Sequence, residues 1–160
     1  MIILDTNVVS EPMKRNGNPA VQTWLDQQAA ETLYLTATSL SELLVGIEIL
    51  PDGRRREGLD GALNELLARL FGSRILPFDQ QAAMAYAPLV CKARAAGRLI
   101  SVADGQIAAI AALHGFIVAT RDTAPFIAAG VPGVIHGARN GRWGEGEGVK
   151  GYVSFNPLTD

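Results

Sequence analysis

Four apolar residues run straight into an acid in MIILDTN, at positions 1–7. A short Ile-rich run closed by small polar residues predicts a strand buried on both faces. Further on, SEPMKRNGNP reads as a helical turn and loop carrying Lys14 and Arg15. AVQTWLDQQA places Val21, Trp24 and Leu25 on one helical face, and TLYLTA (32–37) is a second strand by its β-branched and aromatic content. TSLSELLVGIEIL suits a buried helix, broken by the PDG at 51–53. In RRREGLDGALNELLARLFG, Leu59, Leu63, Leu66, Leu67 and Leu70 recur at the helical period behind a basic entrance.

RILPFD predicts a third strand, with Asp79 capping the helix of QQAAMAYAPLVCKARAAG. Pro88 should bend that helix and Gly97 end it. SVADGQIAAIAALHG predicts another helix, closed by Gly115, with His114 a helix-end side chain favoured by the dipole. FIVATRD is a fourth strand with its turn, and TAPFIAAG a short helix ending at Gly130. From Gly133 the pattern changes to a glycine-rich stretch without period. Its GEGEG neither follows a clear strand nor opens a helix, so it reads as a surface excursion and not a phosphate loop. The expected division is therefore a domain over 1–137 and a Gly-rich extension over 138–160. Strands alternating with helices predict a parallel α/β sandwich.

A length of 160 residues fits one domain with a single well-filled core, and 48% apolar residues rule out a disordered chain. The single cysteine, Cys91, is expected to be a small buried hydrophobe, in keeping with a reducing cytoplasm. No basic region precedes the first apolar run and Asp5 interrupts it, so no signal peptide is expected. IAAIAALHGFIVA is too short to span a bilayer and is broken by His114 and Gly115, so no membrane partner is expected either. The net charge of −2 excludes a bulk polycation. Nucleic acid, if bound, must meet a local basic patch or bound cations.

Four acids stand where a parallel sheet places its ligands, beyond the carboxyl ends of strands and at the starts of the helices that follow. Asp5 ends the first strand, with Thr6 and Asn7 able to hydrogen-bond its carboxylate or the turn. Glu42 lies in SLSE, Asp104 in SVAD, and Asp122 in ATRD. Taken singly, each has a structural explanation. Asp5 makes an Asx-type turn. Ser39 to Glu42 and Ser101 to Asp104 match capping boxes. Asp122 reads as an N-cap followed by Pro125.

Taken together they lie on one sheet edge. Two carboxylates ~5 Å apart repel by about 3 kcal/mol at an effective dielectric of 20, so a cluster calls for a counter-charge. The only histidines are His114 and His136, which argues against zinc. An all-oxygen set suits Mg²⁺, with Mn²⁺ as substitute, and such a site activates water and steadies an in-line displacement at phosphorus.

MIILDTNVVSEP, TATSLSELLVGI, RAAGRLISVADGQIAAIAALHGFIVATRDTAPF and AAGVP together resemble a PIN-domain ribonuclease. The likeness is narrower still to the toxin half of a bacterial VapBC-type toxin–antitoxin pair, near the FitB branch. It covers nearly everything to about residue 132. It implies a three-layer α/β/α sandwich with a central parallel sheet, and Mg²⁺- or Mn²⁺-dependent endoribonuclease activity in the cytoplasm. Asp5, Glu42, Asp104 and Asp122 would be its metal-holding, catalytic acids. It also implies a homodimer and a cognate antitoxin whose DNA-binding domain alone touches operator DNA. A crevice of acids is a natural socket for an arginine, so the antitoxin is expected to insert an Arg-containing segment near Asp5 and Asp104. The homodimer is expected to use the apolar stripes of the 54–71 helix and of the helix containing Trp24. The chain departs from the family at Leu44 and Val45, where relatives often carry a bulkier or basic pair. Of the usual Asn-Pro-Trp-like ending only Asn156 and Pro157 remain.

Two rival readings keep the same fold class. An Asp-nucleophile phosphatase would use Asp5, but such enzymes want a second acid two residues on, where this chain has Asn7. A non-catalytic module binding RNA or protein would use all four acids only as caps.

Overall fold

The computed structural model describes residues 1–131 and the backbone of a strand at 134–136. Five parallel strands form one sheet: β1 (Ile2–Leu4), β2 (Leu33–Thr36), β3 (Ile75–Leu76), β4 (Ile117–Thr120) and β5 (Val134–His136), in the order β3-β2-β1-β4-β5. β1 is the middle strand, paired to β2 through Ile2 and Leu33 and to β4 through Leu4 and Ala119. That position explains its unbroken apolar run, since both faces of a central parallel strand are covered.

Successive side chains of β1 enter different cores. Ile2 and Leu4 join Trp24, Leu43, Leu63 and Phe71 on one face, whereas Ile3 joins Ile107, Ile110, Val118 and Phe126 on the other. The first layer comes from α1 (Thr6–Val9), α2 (Pro19–Asp26), α3 (Ala37–Glu48) and α4 (Arg54–Leu66), which runs on as a π-helical turn over Leu67–Phe71. The second comes from α5 (Gln80–Ala95), α6 (Val102–His114) and α7 (Ala124–Ala129). The expected three-layer α/β/α sandwich is the architecture found.

Most predicted boundaries hold. Asp79 caps α5 through the Ala82 amide at 3.0 Å, Pro88 lies inside α5, and Gly115 closes α6 in the left-handed conformation. Three expectations need correction. Cys91 is exposed, because α5 buries Ala82, Val90 and Ala93 and turns residue 91 outward. β5 lies where the pattern after Gly133 predicts no strand. It is a three-residue edge strand, too short for its alternation to show. The apolar stripes assigned to a dimer surface are used within the chain: Trp24, Leu63 and Phe71 are buried, and Leu59, Leu66, Leu67 and Leu70 pack on the same core. The expectations for 138–160 lie outside the described residues. No helix among the described residues is long and apolar enough to cross a membrane.

Candidate functional site

Asp5 is the buried member of the acid set, only 5% exposed. The register that sets Leu4 beside Ala119 brings Thr120 alongside it, and the Asp5 amide donates to the Ala119 carbonyl at 3.0 Å. Three donors converge on its carboxylate. The Thr6 amide reaches Oδ1 at 2.7 Å, and the Asn7 Nδ2 and Thr120 Oγ1 groups both reach Oδ2 at 2.6 Å. Burial drives its pKa up from 3.8 to about 6. The hydrogen bonds from Thr120 and Thr6 oppose that rise, while the nearby charges of Asp104 and Glu42 add to it. Two acids distant in sequence thus act on Asp5, because sheet topology brings all three to one crevice.

Glu42 arrives there by a route the sequence misjudged. The cap of α3 is Thr36, not Ser39: the Thr36 Oγ1 atom accepts from the Ser39 amide at 3.0 Å. The helix thus begins three residues earlier than a Ser39 capping box requires. Glu42 falls in the second turn with no capping duty, and its Oε2 atom accepts the Thr6 hydroxyl proton at 2.5 Å. Thr6 therefore ties Glu42 to the Asp5 turn.

Asp104 does sit in a box with Ser101, though in a variant form. The Ser101 Oγ atom accepts from the Asp104 amide at 3.0 Å and donates to the Asp104 carboxylate at 2.7 Å, so the acid returns to the hydroxyl and not to the cap amide. Thr38 Oγ1 donates to Gln106 Oε1 at 3.0 Å, which joins the start of α3 to the start of α6 and so couples the helices bearing Glu42 and Asp104. Gly105 lets α6 approach α5, since a Cβ there would lie 2.7 Å from Tyr86.

Asp122 is no N-cap. Thr123 occupies that position, without a side-chain cap bond, and the Asp122 carboxylate makes no hydrogen bond among the described residues. Its backbone is fixed through Thr120, whose hydroxyl oxygen accepts from the Asp122 amide at 3.0 Å while the hydroxyl donates to Asp5. The exposed Asp122 carboxylate is held at the crevice edge by its backbone alone.

Two contributors escaped the sequence reading. Thr120 is 1% exposed and links both strand-end acids; the strand register alone could have revealed it. Glu11 is 2% exposed and accepts from Lys14 Nζ at 2.6 Å, the Asn18 amide at 2.7 Å and Arg121 Nη1 at 2.7 Å. Burial works to raise its pKa, but the Lys14 and Asn18 hydrogen bonds and the Lys14 and Arg121 charges outweigh it and hold Glu11 below the usual range. The Arg121 amide in turn donates to Asn7 Oδ1 at 3.0 Å. A continuous hydrogen-bonded path thus runs from Asp5 through Asn7 and Arg121 to Glu11 and Lys14.

The donor set is all oxygen and carries like charges, which fits a hard divalent cation and not zinc. The acids feel one another without closing on a common point: among the described residues no three His, Cys, Asp or Glu side chains stand together as a ready-made metal cage. A cation bound here would keep part of its water shell, as Mg²⁺ commonly does.

Comparison with known proteins shows the family of the chain. The PIN domain family matches residues 2–131. The chain is similar to the plasmid stability protein StbB of Pseudomonas syringae pv. tomato, 50% identical over 131 residues, covering 82% of this chain and 94% of that protein. It is equally similar to the VapC ribonuclease Y4jK of Sinorhizobium fredii, 50% identical over 132 residues with the same coverage. Toxin FitB of Neisseria gonorrhoeae is 44% identical over 131 residues, again covering 82% of this chain and 94% of that one. Among solved structures, that of FitAB bound to an IR36 DNA fragment superposes with a TM-score of 0.80 at 42% identity, over 85% of this chain and 94% of that one. The family match over residues 2–131 and the identity to these relatives show that the chain belongs to the PIN-domain family.

Proposed function

We propose that this protein is the toxin of a VapBC-type toxin–antitoxin pair and an endoribonuclease dependent on Mg²⁺, with Mn²⁺ as substitute. The observation that carries the reading is the shared field at the crevice: Asp104 and Glu42 both act on buried Asp5 at the carboxyl edge of the sheet. The relatives called a VapC ribonuclease and a toxin support it. Asp5, Glu42, Asp104 and Asp122 would hold the metal, which supplies Lewis acidity and a water of lowered pKa.

The chain's own residues do the rest. Asn7 and Thr120 keep the Asp5 carboxylate oriented, and Thr6 steadies Glu42. Asp122, exposed at the rim, is placed to take a proton or a water there. The cognate antitoxin, which alone carries the DNA-binding domain, would neutralise the site by setting an arginine near Asp5 and Asp104, and the working form would be a cytoplasmic homodimer.

The test pairs RNA cleavage with thermal melting for wild type and Asp104→Asn. Cleavage should need Mg²⁺ or Mn²⁺, stop with EDTA and vanish in the variant, while the metal-free melting temperature holds or rises because one repulsive charge is gone. A variant that melts several degrees lower and still cleaves would mean Asp104 is only a cap.

A further inference from the structure

A cavity of about 820 Å³ opens between the turn at Glu11–Met13 and the first turns of α4. Lys14 and Arg15 line it from one element and Arg54 and Arg55 from the other, over a floor that includes Met13 and Leu59. Four cations converge here on a chain whose net charge is −2. They are largely unspent. Among the described residues Arg15, Arg54 and Arg55 make no ion pair, whereas the neighbouring Arg56 is committed to Asp52 and Glu48.

Folding does not account for these arginines. Arg54 and Arg55 occupy the first turn of a helix, where the dipole disfavours positive charge. Guanidinium groups and an ammonium together attract phosphate. The apolar floor would accept the face of a base, which an acidic peptide would leave unused.

The cavity is also wired to the acid crevice. Lys14 on its wall and Arg121 beside Asp122 bind the same oxygen of buried Glu11. We propose that this cavity is the site at which the RNA substrate's backbone is held away from the scissile bond, with phosphates on Arg54, Arg55, Arg15 and Lys14. The inference rests on the nuclease reading and names where its substrate lies.

The experiment measures binding of a fluorescein-labelled single-stranded RNA by anisotropy, in EDTA so that no cleavage intervenes, across a series of KCl concentrations. The variant is Arg54→Glu with Arg55→Glu, and the control is Arg94→Glu, an exposed arginine on α5 outside the cavity. The reversed charges suit the helix start, so the fold should be kept, which circular dichroism checks. The double variant should bind at least about 10-fold more weakly. Its slope of log K against log salt should become shallower by roughly 0.7 for each phosphate no longer neutralised, while the control stays close to wild type. Unchanged affinity and slope in the double variant would overturn the proposal, as would wild type failing to bind the RNA. Retained RNA binding alongside abolished binding of an acidic-peptide probe would also overturn it, assigning the cavity to a protein partner. Cleavage assays with Mn²⁺ separate the two readings. Wild type that binds here but cuts no RNA removes the nuclease, and wild type that cuts while the double variant binds normally removes only the cavity.

Discussion

A buried carboxylate whose pKa rises on folding leaves a signature in stability against pH. For Asp5 the folded value is about 6 and the reference value 3.8. Between these limits the folded protein holds a proton that the unfolded chain has released, so this residue's contribution is fully present below the lower value and lost as pH rises through the upper one. The complete loss is about 3 kcal/mol, of which about 1.4 kcal/mol falls between pH 5 and pH 7.5. Urea unfolding of wild type and Asp5→Asn at those two pH values, without metal, measures it. Contributions common to both proteins largely cancel in the difference. The variant also turns an amide toward the Asn7 and Thr120 donors, which shifts its whole curve but not its slope. Thr120 can answer by accepting from the new amide and donating to the Asp122 carbonyl, which lies 3.2 Å away. Wild type should therefore lose about 1.4 kcal/mol more than the variant from pH 5 to pH 7.5. Saturating Mg²⁺ or Mn²⁺ should restore stability to wild type at pH 7.5 and much less to the variant. Parallel curves would refute the claim that Asp5 is held ionised against an unfavourable field.

Three further outcomes follow from particular side chains. Thr120→Val should cost about 1.5–3 kcal/mol in denaturant unfolding, because it strips a charge-assisted bond from Asp5 and leaves the Asp122 amide without its acceptor. Glu11→Gln should lower stability by about 1.5–3 kcal/mol, less than for a fully buried pair since Lys14 and Arg121 remain half exposed, and the loss should shrink as pH falls below 4.5, the ordinary glutamate value, because the unfolded chain takes up a proton there before native Glu11 does. Gly105→Ala should destabilise by about 1–3 kcal/mol despite better helix propensity, as its Cβ would meet Tyr86 at 2.7 Å and Val90 at 3.2 Å; a melt no lower than wild type would show that α5 gives way freely.

The sandwich is legible in the sequence because β1 and the helix faces carry strong periods. Trp24 and the Leu59 to Leu70 series pack inward as their spacing requires. The acids are legible by position, since strand ends and helix starts share an edge. What hides from the sequence is long-range pairing. Nothing local announces that Thr120 will meet Asp5, or that Glu11 will gather Arg121 from the far side of the chain. The Ser39 box fails for a different reason. Thr36 is an equally good cap three residues earlier, and the end of β2 decides between them. Cys91 is misplaced by pattern alone because α5 is rich in alanine and its weak apolar stripe leaves the buried face ambiguous.

The central place of β1 also sets a schedule. It leaves the ribosome well before its neighbour β4, which follows 115 residues after Asp5, counted to Thr120. At common rates of synthesis that delay is about 6–23 s. Until then the Asp5 carboxylate lacks the Thr120 hydroxyl that orients it, and Asp122, two residues further on, has not been made. The crevice therefore stays incomplete until β4 has been made.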